Sequence, residues 1–309
     1  MSADDAKKIT TAKQPDIMNS TKQIPESELM LNDDGSIFHL HLLPGDLAEN
    51  IILVGDQDRC EVVARYFDSI ELQKQNREFR TITGTKNGKR ISVVSTGIGT
   101  DNIDIVLTEL DALVNIDLKT RMPKPEHTSL NMIRIGTCGS LQPDIPAGTP
   151  VVTAISGGLD GLLNFYEERD RVCDLQLEKE FQQHTQRSAR LAAPYFVASS
   201  PQLIEKLKEY RMGITLSAPG FYGPQGREVR LRITDQGINE KLETFEYKGL
   251  KINNYEMESS AINGLGRLLG HNTVTICLVI VNRRCHKFAP NYRTAMPDLI
   301  ENVVEIISK

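Results

Sequence analysis

Short apolar segments alternate with helical repeats along most of the chain. The segments are nearly unbroken and rich in β-branched residues, as is typical of strands covered on both faces, and they occupy residues 51–54, 91–95, 132–135, 151–154 and 274–281. Residues 103–114 carry apolar side chains at helical spacing, which predicts an amphipathic helix. Residues 258–269, followed by Gly270, and the apolar stripe over 299–307 predict two more helices. This alternation predicts an α/β fold.

The alternation begins near Ser36, and no internal repeat or low-complexity linker interrupts it. We therefore predict one domain over residues 36–309. Residues 1–35 are polar and aperiodic, which predicts a loose tail or a surface arm.

Composition and charge exclude several classes of protein. The 309 residues include 36 basic and 41 acidic ones, so the net charge of −5 argues against a general nucleic-acid binder. This net charge is compatible with a small anionic ligand that a few arginines bind. The sequence has no apolar segment of about 18 residues, so we expect no membrane span. Its N-terminus lacks the apolar core of a secretory signal.

The cysteines and histidines indicate the compartment and argue against a zinc site. Five cysteines at wide spacing, without a CxxC pair, predict reduced thiols and a cytoplasmic protein. Six histidines are scattered without metal-binding spacing, so neither structural nor catalytic zinc is expected.

Ligands of α/β sheets bind at the carboxyl ends of strands, so the residues after each apolar segment are the candidates. Gly55 follows the first segment and Arg59 lies four residues later. A glycine there allows a tight turn whose free backbone N–H groups can hold an anion. An ordinary strand–helix turn with a surface arginine explains the same residues. Residues 95–100, with two glycines and three hydroxyl side chains, are equally ambiguous.

Arg134 lies inside an apolar segment, where a lone guanidinium is costly unless it is paired. Gly136, Thr137 and Gly139 place backbone and hydroxyl donors beside it. Because the fork of an arginine matches phosphate geometry, this set predicts an oxyanion site. The alternative is a structural arginine paired with a buried carboxylate.

Glu256 and Glu258 flank Met257 where a strand is expected to pass into a helix. Two such carboxylates suit the vicinal diol of a ribose or an acid/base pair. Alternatively, they are acids that stabilise a helix N-terminus.

The segment 221–227 offers aromatic rings followed by Gln225 and Arg227. Gln225 can both donate and accept hydrogen bonds, whereas Arg227 only donates, so the pair can bind the edge of a heterocycle while Phe221 packs on its face. A solvated Gly/Pro loop is the alternative.

Taken in order, these motifs resemble the nucleoside phosphorylase family of the trimeric or hexameric type, and within it the uridine phosphorylases. The resemblance runs from about Phe38 to the C-terminus. Eight motifs carry it: residues 38–40 (FHL), 55–59 (GDQDR), 76–79 (NREF), 95–99 (STGIG), 134–137 (RIGT), 221–227 (FYGPQGR), 254–259 (NYEMES) and 281–283 (VNR). The resemblance implies a three-layer α/β/α domain around a central mixed β-sheet. It also implies reversible phosphorolysis of uridine to uracil and ribose 1-phosphate, with inorganic phosphate as co-substrate and no organic cofactor.

The resemblance further implies a role for each matching residue. The phosphate site would consist of Gly55, Arg59, Arg77, Arg134 and Thr137. The ribose site would consist of His39, Thr137, Met257 and Glu258, with His39 and Arg77 donated across a subunit interface. The base site would consist of Cys138, Gly139, Phe221, Gln225, Arg227, Ile280, Val281 and Arg283. Arg134, Thr137, Arg227 and Glu258 would be catalytic.

The resemblance also has implications for a bound potassium ion, for the type of base and for the oligomeric state. Glu78, Ile98 and Asn102 match the potassium ligands of bacterial members, which have serine where this chain has Asn102. Purine-specific members place a Ser-Asp pair where residues 282–283 read Asn-Arg, and they lack the Gln-x-Arg loop, so both departures favour a pyrimidine. The segment 118–131 is longer than in bacterial members. Family members form homodimers or hexamers built as trimers of dimers, with active sites shared across the dimer.

Two alternatives to a uridine phosphorylase follow from the same motifs. One is a phosphorylase or nucleosidase acting on another nucleoside, either a purine nucleoside or a deoxyribonucleoside. The other is a non-catalytic relative that only binds nucleosides. The latter should have lost part of the set Arg59, Arg134, Arg227 and Glu258, and all four are present.

Overall fold

The computed structural model of the protein describes residues 22–285, 287–288 and 292–309. The strands are β1 Asn50–Val54, β2 Ser69–Asn76, β3 Phe79–Lys86, β4 Lys89–Ser95, β5 Ile116–Asp117, β6 Met122–Pro123, β7 Asn131–Ser140, β8 Pro150–Gly158, β9 Tyr195–Ala198, β10 Arg211–Ser217, β11 Glu246–Tyr247, β12 Leu250–Glu256, β13 Asn272–Asn282 and β14 Lys287–Phe288. The helices are α1 Gln57–Ala64, α2 Thr100–Asn115, α3 Leu175–Thr185, α4 Pro201–Lys206, α5 Ile238–Thr244, α6 Ser259–Leu268 and α7 Tyr292–Ile307. Within the described residues, no helix combines the length and apolar character needed to cross a bilayer.

One mixed sheet organises the molecule, in the order β11-β12-β10-β8-β13-β7-β1-β4-β3-β2. The centre is largely parallel, because β1 pairs in parallel with β4 and β7, and β7 with β13. β12 pairs in parallel with β10 and also, through Asn254 and Tyr255, in antiparallel fashion with the end of β7. This second pairing closes five strands into a ring and brings Tyr255 opposite Gly139.

Helices cover both faces of the sheet, and β1 shows why. Ile51 and Leu53 pack in one apolar cluster with α2 and α6, whereas Ile52 and Val54 pack in a second with α1, α4 and α7. Alternate residues of a strand point to opposite faces, so a strand buried on both sides must be apolar throughout. The predicted three-layer α/β/α architecture around a mixed sheet is thereby confirmed.

The elements with the strongest sequence patterns lie where the sequence predicts them. The five apolar segments fall inside β1, β4, β7, β8 and β13, and the three helical stripes fall in α2, α6 and α7. Gly270 has a φ of +78° just beyond α6, as a residue at C′ requires. The pattern did not reveal β2, because this edge strand has the polar sequence SIELQKQN and is largely exposed.

Packed structure begins before the predicted domain boundary at residue 36. Leu29 is buried in the core, and the backbone N–H of Ile24 donates to the carbonyl oxygen of Arg121 at 2.9 Å. The Arg121 guanidinium in turn donates to the Leu29 carbonyl. Arg121 lies in the turn of the β5–β6 hairpin, within the longer 118–131 segment. Hydrogen bonds therefore join that segment to the N-terminal residues before 36. The rest of the predicted tail, residues 1–21, lies outside the described residues.

Candidate active site

A cavity of about 920 Å³ opens where several parallel strands end together. Its wall is built from the residues after β1 and β4, the last residues of β7 and β13, the β12–α6 junction and the 221–227 loop. Most of the predicted site residues line it: Gly55, Arg59, Arg134, Thr137, Cys138, Gly139, Phe221, Gln225, Arg227, Met257, Glu258, Ile280 and Val281. His39, Arg77 and Arg283 do not line it.

Arg134 is the most buried cation of the cavity, at 4% exposure. Its guanidinium folds back over Gly136, where any side chain would collide with it. Nη2 forms an ion pair with Glu258, while Nη1 lies 3.2 Å from Glu256 Oε2 and donates to Cys277 Sγ at 3.5 Å. Nε has no hydrogen-bond partner. Burial lowers the pKa of Arg134, but the two carboxylates outweigh it and raise the pKa above its ordinary value. Arg134 is therefore both a paired buried arginine and a permanent cation in the cavity wall.

The two acids of the Glu256-Met257-Glu258 motif have different tasks. Glu256 Oε1 accepts from the hydroxyls of Ser217 at 2.5 Å and Ser259 at 2.8 Å, and Oε2 accepts from the backbone N–H groups of Glu258 and Ser259, both at 2.9 Å. Glu256 thus anchors the start of α6, as the helix-terminus interpretation requires. Glu258 holds Arg134 with Oε2 and accepts from the Gly99 N–H with Oε1 at 2.8 Å.

Arg59 adds a second cation to the Arg134 end of the cavity. It follows Gly55 near the start of α1, and Nη1 donates to the Ile135 carbonyl at 3.5 Å. Among the described residues no carboxylate lies within ion-pair distance of it. Burial lowers the pKa of Arg59, and the neighbouring Arg134 lowers it further. Gly55, Arg59, Arg134 and Thr137 therefore form a cationic wall with free donors, which suits an oxyanion.

The opposite end of the cavity is built on the 221–227 loop. Arg227 Nη1 donates to Gln225 Oε1 at 2.6 Å and to the Phe221 carbonyl at 2.5 Å, and its guanidinium lies 3.9 Å from the centre of the Phe221 ring. Gln225 is only 3% exposed, whereas half of Phe221 is exposed. Val281 and Ile280 supply the apolar wall. A planar ring with acceptors at its edge fits this end.

His39 and Arg77 lie together outside the cavity. Phe38 links them, because the Arg77 guanidinium is 5.9 Å from its ring centre and the His39 ring meets it edge-on at 4.9 Å. His39 Nδ1 is 2.6 Å from Glu109 Oε1, which fixes the ring. The two residues assigned to a neighbouring subunit's site thus share one surface.

Glu78, Ile98 and Asn102, the predicted potassium ligands, are also neighbours in the cavity wall. However, Asn102 Nδ2 donates to the Ile98 carbonyl oxygen at 3.3 Å. The Ile98 carbonyl thus accepts one hydrogen bond and keeps a second lone pair. Potassium binding at these three residues stays a prediction.

Asp111, His127 and His271 form a second cluster of metal-ligating type, with candidate ligand atoms within 4.8 Å of one another. The backbone N–H of Leu130 donates to His271 Nδ1 at 3.2 Å, which places the proton of a neutral ring on Nε2, facing Asp111 at 3.2 Å. A protonated nitrogen cannot ligate a metal. The cluster is therefore a close contact between α2 and the residue that precedes β13, in which His271 Nε2 makes no hydrogen bond.

The sequence interpretation missed several residues that line the cavity: Asp56, Gln57, Gly97, Tyr255, Glu256 and Phe288. All of these except Phe288 lay inside recognised motifs, so their positions in those motifs could have marked them. Tyr255 reaches the site only because β12 bends over to pair with β7, which no local pattern reveals.

Comparison with known proteins agrees with this geometry. The sequence matches the family model of the phosphorylase superfamily over residues 49–306. The uridine phosphorylase of Escherichia coli (strain K12) is 29% identical over 282 residues, covering 88% of this chain and 95% of that protein. A DeoD-type purine nucleoside phosphorylase of Caldanaerobacter subterraneus is 35% identical over 127 residues, which are 41% of this chain and 49% of that protein.

A solved structure gives the same result. The Trypanosoma brucei nucleoside phosphorylase, described as showing uridine phosphorylase activity, superposes with a TM-score of 0.81 at 28% identity. The match covers 91% of this chain and 98% of that one. The chain is an enzyme of the phosphorylase superfamily.

Proposed function

We propose that this enzyme is a uridine phosphorylase, which converts uridine and phosphate reversibly to uracil and ribose 1-phosphate. The observation that carries the proposal is that Gln225 and Arg227 line the same cavity as Arg134 and Glu258. Such a cavity binds a heterocycle at one end and an anion with a diol at the other. Relatives named uridine phosphorylase cover most of the chain, which supports the same assignment.

Phosphate is the nucleophile in this proposal, held by Gly55, Arg59, Arg134 and Thr137. Its oxygen forms a bond to C1′ as the bond between C1′ and the base nitrogen breaks, so positive charge develops on the sugar. The bound phosphate stabilises that charge. Glu258 accepts hydrogen bonds from the 2′ and 3′ hydroxyls and fixes the ribose above Met257. Because the donors are already in place, catalysis consists of positioning and electrostatic stabilisation.

The electron pair of the broken bond moves onto the uracil ring. Gln225 and Arg227 donate to its oxygens and Gln225 accepts from N3–H, which stabilises the departing anion until it takes a proton from solvent. Each such donor is typically worth about 3–4 kcal/mol of transition-state stabilisation. No covalent intermediate with the protein is required.

The neighbourhood of Asn282 supports a pyrimidine rather than a purine. Purine phosphorolysis profits from an acid at the base nitrogen N7, and the β13 end is the place where family members carry it. Here the Asn282 amide donates to the carbonyls of Gln142 at 3.0 Å and Ile145 at 2.9 Å, and its oxygen accepts from the N–H groups of Arg284 and Cys285. Asn282 stands at the serine of the Ser-Asp pair of purine-specific members and is fully used in shaping this turn, and Arg283, which stands at the aspartate, is no acid for N7.

The first experiment is a phosphorolysis screen over uridine, thymidine, cytidine, inosine and adenosine, each with and without phosphate. We expect uridine to be cleaved only when phosphate is present. Cytidine should be a very poor substrate, because its 4-amino group would meet the donors of Arg227. Comparable rates on uridine and inosine would reject the pyrimidine assignment, and cleavage without phosphate would indicate a nucleosidase.

We further propose a homodimer in which His39 and Arg77 complete the partner's ribose and phosphate sites. The variants Arg77→Ala and Arg134→Lys should each be inactive. After verified subunit exchange, about a quarter of the sites in a random mixture of dimers carry both arginines and should work. No recovery would place Arg77 in its own subunit's site or outside any site.

A further inference from the structure

The turn between β2 and β3 carries Arg77 on the surface of the subunit. The two strands pair up to Asn76 and Phe79, so Arg77 and Glu78 are the two residues of the turn. Arg77 is exposed and does not line the cavity of its own chain. Its φ of +53° lies in the left-handed region that favours glycine, and a residue with a side chain stays there only when its surroundings hold it.

Side chains from outside the turn hold this backbone in place. Ser95 Oγ donates to the Glu78 carbonyl at 2.8 Å, and Gln57 Nε2 donates to the Arg77 carbonyl at 2.7 Å. Gln75 Nε2 donates in turn to Gln57 Oε1 at 2.8 Å, so the Gln57 amide is fixed at both ends. The Arg77 carbonyl belongs to the peptide between the two turn residues. Its hydrogen bond therefore opposes rotation of that peptide and keeps the turn, with Arg77, in one conformation.

Gln57 belongs at the same time to the cavity of its own subunit. It is the first residue of α1, it stands between Gly55 and Arg59 in the sequence, and it lines the cavity. The Arg77 guanidinium lies instead beside Phe38, 5.9 Å from the centre of its ring. One amide thus joins the loop proposed to bind phosphate in one subunit to the arginine proposed to bind phosphate in the partner.

We propose that Gln57 is a positioning residue for phosphorolysis, which holds the Arg77 carbonyl and thereby sets the guanidinium that completes the partner's phosphate site. The inference rests on the proposed function, which places Arg77 in that site. Gln57 itself contacts no reacting atom. Its loss should weaken phosphate binding in the partner's site and spare the binding of uridine. A Gln57 that bound phosphate directly would act in the site of its own subunit instead.

The first test is Gln57→Met, which removes the amide and keeps a side chain of similar length. A net neutral hydrogen bond is worth a factor of about three to ten, so the KM and the Kd for phosphate should rise by that factor, while the KM for uridine stays nearly unchanged. Steady-state kinetics measures the KM values, and isothermal titration calorimetry with inorganic phosphate measures the Kd. The matched control is Gln73→Met, an exposed glutamine of β2, which should leave all three values at the wild-type level.

Hybrid dimers, isolated through different affinity tags on the two chains, show which site Gln57 serves. Each hybrid carries Arg134→Lys in one subunit, so only the other subunit has a working site. When Gln57→Met is placed in the same subunit as Arg134→Lys, the working site receives Arg77 from the altered turn, and its phosphate KM should rise about three- to tenfold. When Gln57→Met is placed in the subunit with the working site, the phosphate KM should equal that of the wild type.

The reverse pattern in the two hybrids would overturn the proposal, because Gln57 would then act in its own subunit's site. An unchanged phosphate KM in Gln57→Met, equal increases in the KM values for phosphate and uridine, or a protein that does not dimerise would also overturn it. If uridine is cleaved and the hybrids show the reverse pattern, only the positioning role fails. If uridine is not cleaved, the proposed function fails, and phosphate titrations of the same hybrids still decide which site Gln57 serves. Failure of the wild type to bind phosphate would overturn both.

Discussion

The two ends of the cavity solve the problem of buried charge in opposite ways. At the end proposed to bind phosphate and ribose, Arg134 is enclosed by β7 and the β12–α6 junction, and Glu256 and Glu258 compensate its charge. At the end proposed to bind the base, Arg227 and Arg283 are half-buried and belong to a loop and to the turn after β13. Among the described residues, their hydrogen bonds go to uncharged oxygen acceptors, and Arg227 also stacks on the Phe221 ring. The first end is therefore fixed before substrate arrives, whereas the second is completed by the substrate.

This difference predicts which substitutions lower the stability of the fold and which affect only substrate selection and activity. Removing one member of a buried ion pair leaves an uncompensated charge, so changes at the first end should damage the fold together with the activity. Removing an unpaired, partly exposed cation relieves a desolvation cost, so changes at the second end should affect activity and leave the fold intact. Each prediction below tests one side of this contrast.

The largest effect is expected for Arg134→Ala. Phosphorolysis should fall by about a thousandfold or more, because a donor to the phosphate is lost from the driest part of the site. The buried carboxylates lose their partner, so the free energy of unfolding should fall by about 3–5 kcal/mol. Steady-state kcat/KM and urea denaturation measure the two effects.

The control for this prediction is Arg211→Ala, which breaks an exposed ion pair with Asp144 and should cost only about 0–1 kcal/mol. Arg134→Lys keeps a charge but cannot form the fork, so it should retain more stability than Arg134→Ala while staying inactive. If Arg134→Ala keeps more than about a tenth of the wild-type kcat/KM, Arg134 does not bind phosphate.

Arg227→Ala should lower activity and leave the stability of the fold nearly unchanged. The kcat/KM for uridine should fall by about a hundred- to a thousandfold, while the free energy of unfolding changes by no more than about 0.5 kcal/mol. The preference for uridine over cytidine should narrow, because the donor that repels the 4-amino group is lost together with the one that binds O4. Arg230→Ala, an exposed arginine of the same loop, is the control and should leave both rates unchanged. An unchanged uridine/cytidine preference in Arg227→Ala would mean that this loop does not select the base.

Sequence reasoning identified most of this cavity because its residues follow apolar strands within short motifs. Gly55, Arg134, Gln225 and Glu258 stand out locally, and the rule that ligands bind at strand ends brings them together. It did not reveal that Arg134 pairs with both Glu256 and Glu258, since pairing across β7 and β12 is a long-range property of the sheet.

The polar edge strand β2 and the position of Tyr255 opposite Gly139 were not predicted from the sequence either. β2 carries no apolar face, so period-two alternation does not mark it. Tyr255 reads as an ordinary apolar residue of a buried strand until the β12–β7 pairing sets it opposite a glycine. Asn102 matched a family position, yet its amide bonds the carbonyl that the family pattern assigns to a cation.

Glu256→Gln tests how the first end is fixed. The amide keeps the shape but places a donor against the N–H groups and hydroxyls that Glu256 now accepts from, which should cost about 1–3 kcal/mol of stability. Arg134 loses a partner and shifts, so we expect kcat/KM to fall about ten- to a hundredfold, with the KM for phosphate rising more than that for uridine.

A double-mutant cycle separates positioning from simple loss of structure. If Glu256 acts through Arg134, the variant carrying both Glu256→Gln and Arg134→Lys should be no less active than Arg134→Lys alone. Additive losses, or equal increases in both KM values, would show that Glu256 supports the fold without positioning the arginine.

The smallest effect is expected from thiol chemistry, which compares a cysteine of the cavity wall with an exposed cysteine outside it, without a mutation in the site. Cys138 lies in the cavity wall at 4% exposure, and burial raises its pKa well above the ordinary value, whereas Cys285 is exposed on the turn after β13. Only thiolates react readily, so a disulfide reagent at pH 8 should label Cys285 at least about a hundredfold faster than Cys138 in the native enzyme. Peptide mass spectrometry over a time course measures both rates, and Cys285→Ser should remove the fast phase. Cys138 was predicted as a base-site residue, yet it lies close enough to Arg134 and Glu256 for their charges to affect its pKa. Labelling of Cys138 as fast as that of Cys285 would show that the wall beside Arg134 opens to solvent. It would contradict the inference that this end is preformed, because strong pairing of its charges depends on the exclusion of water.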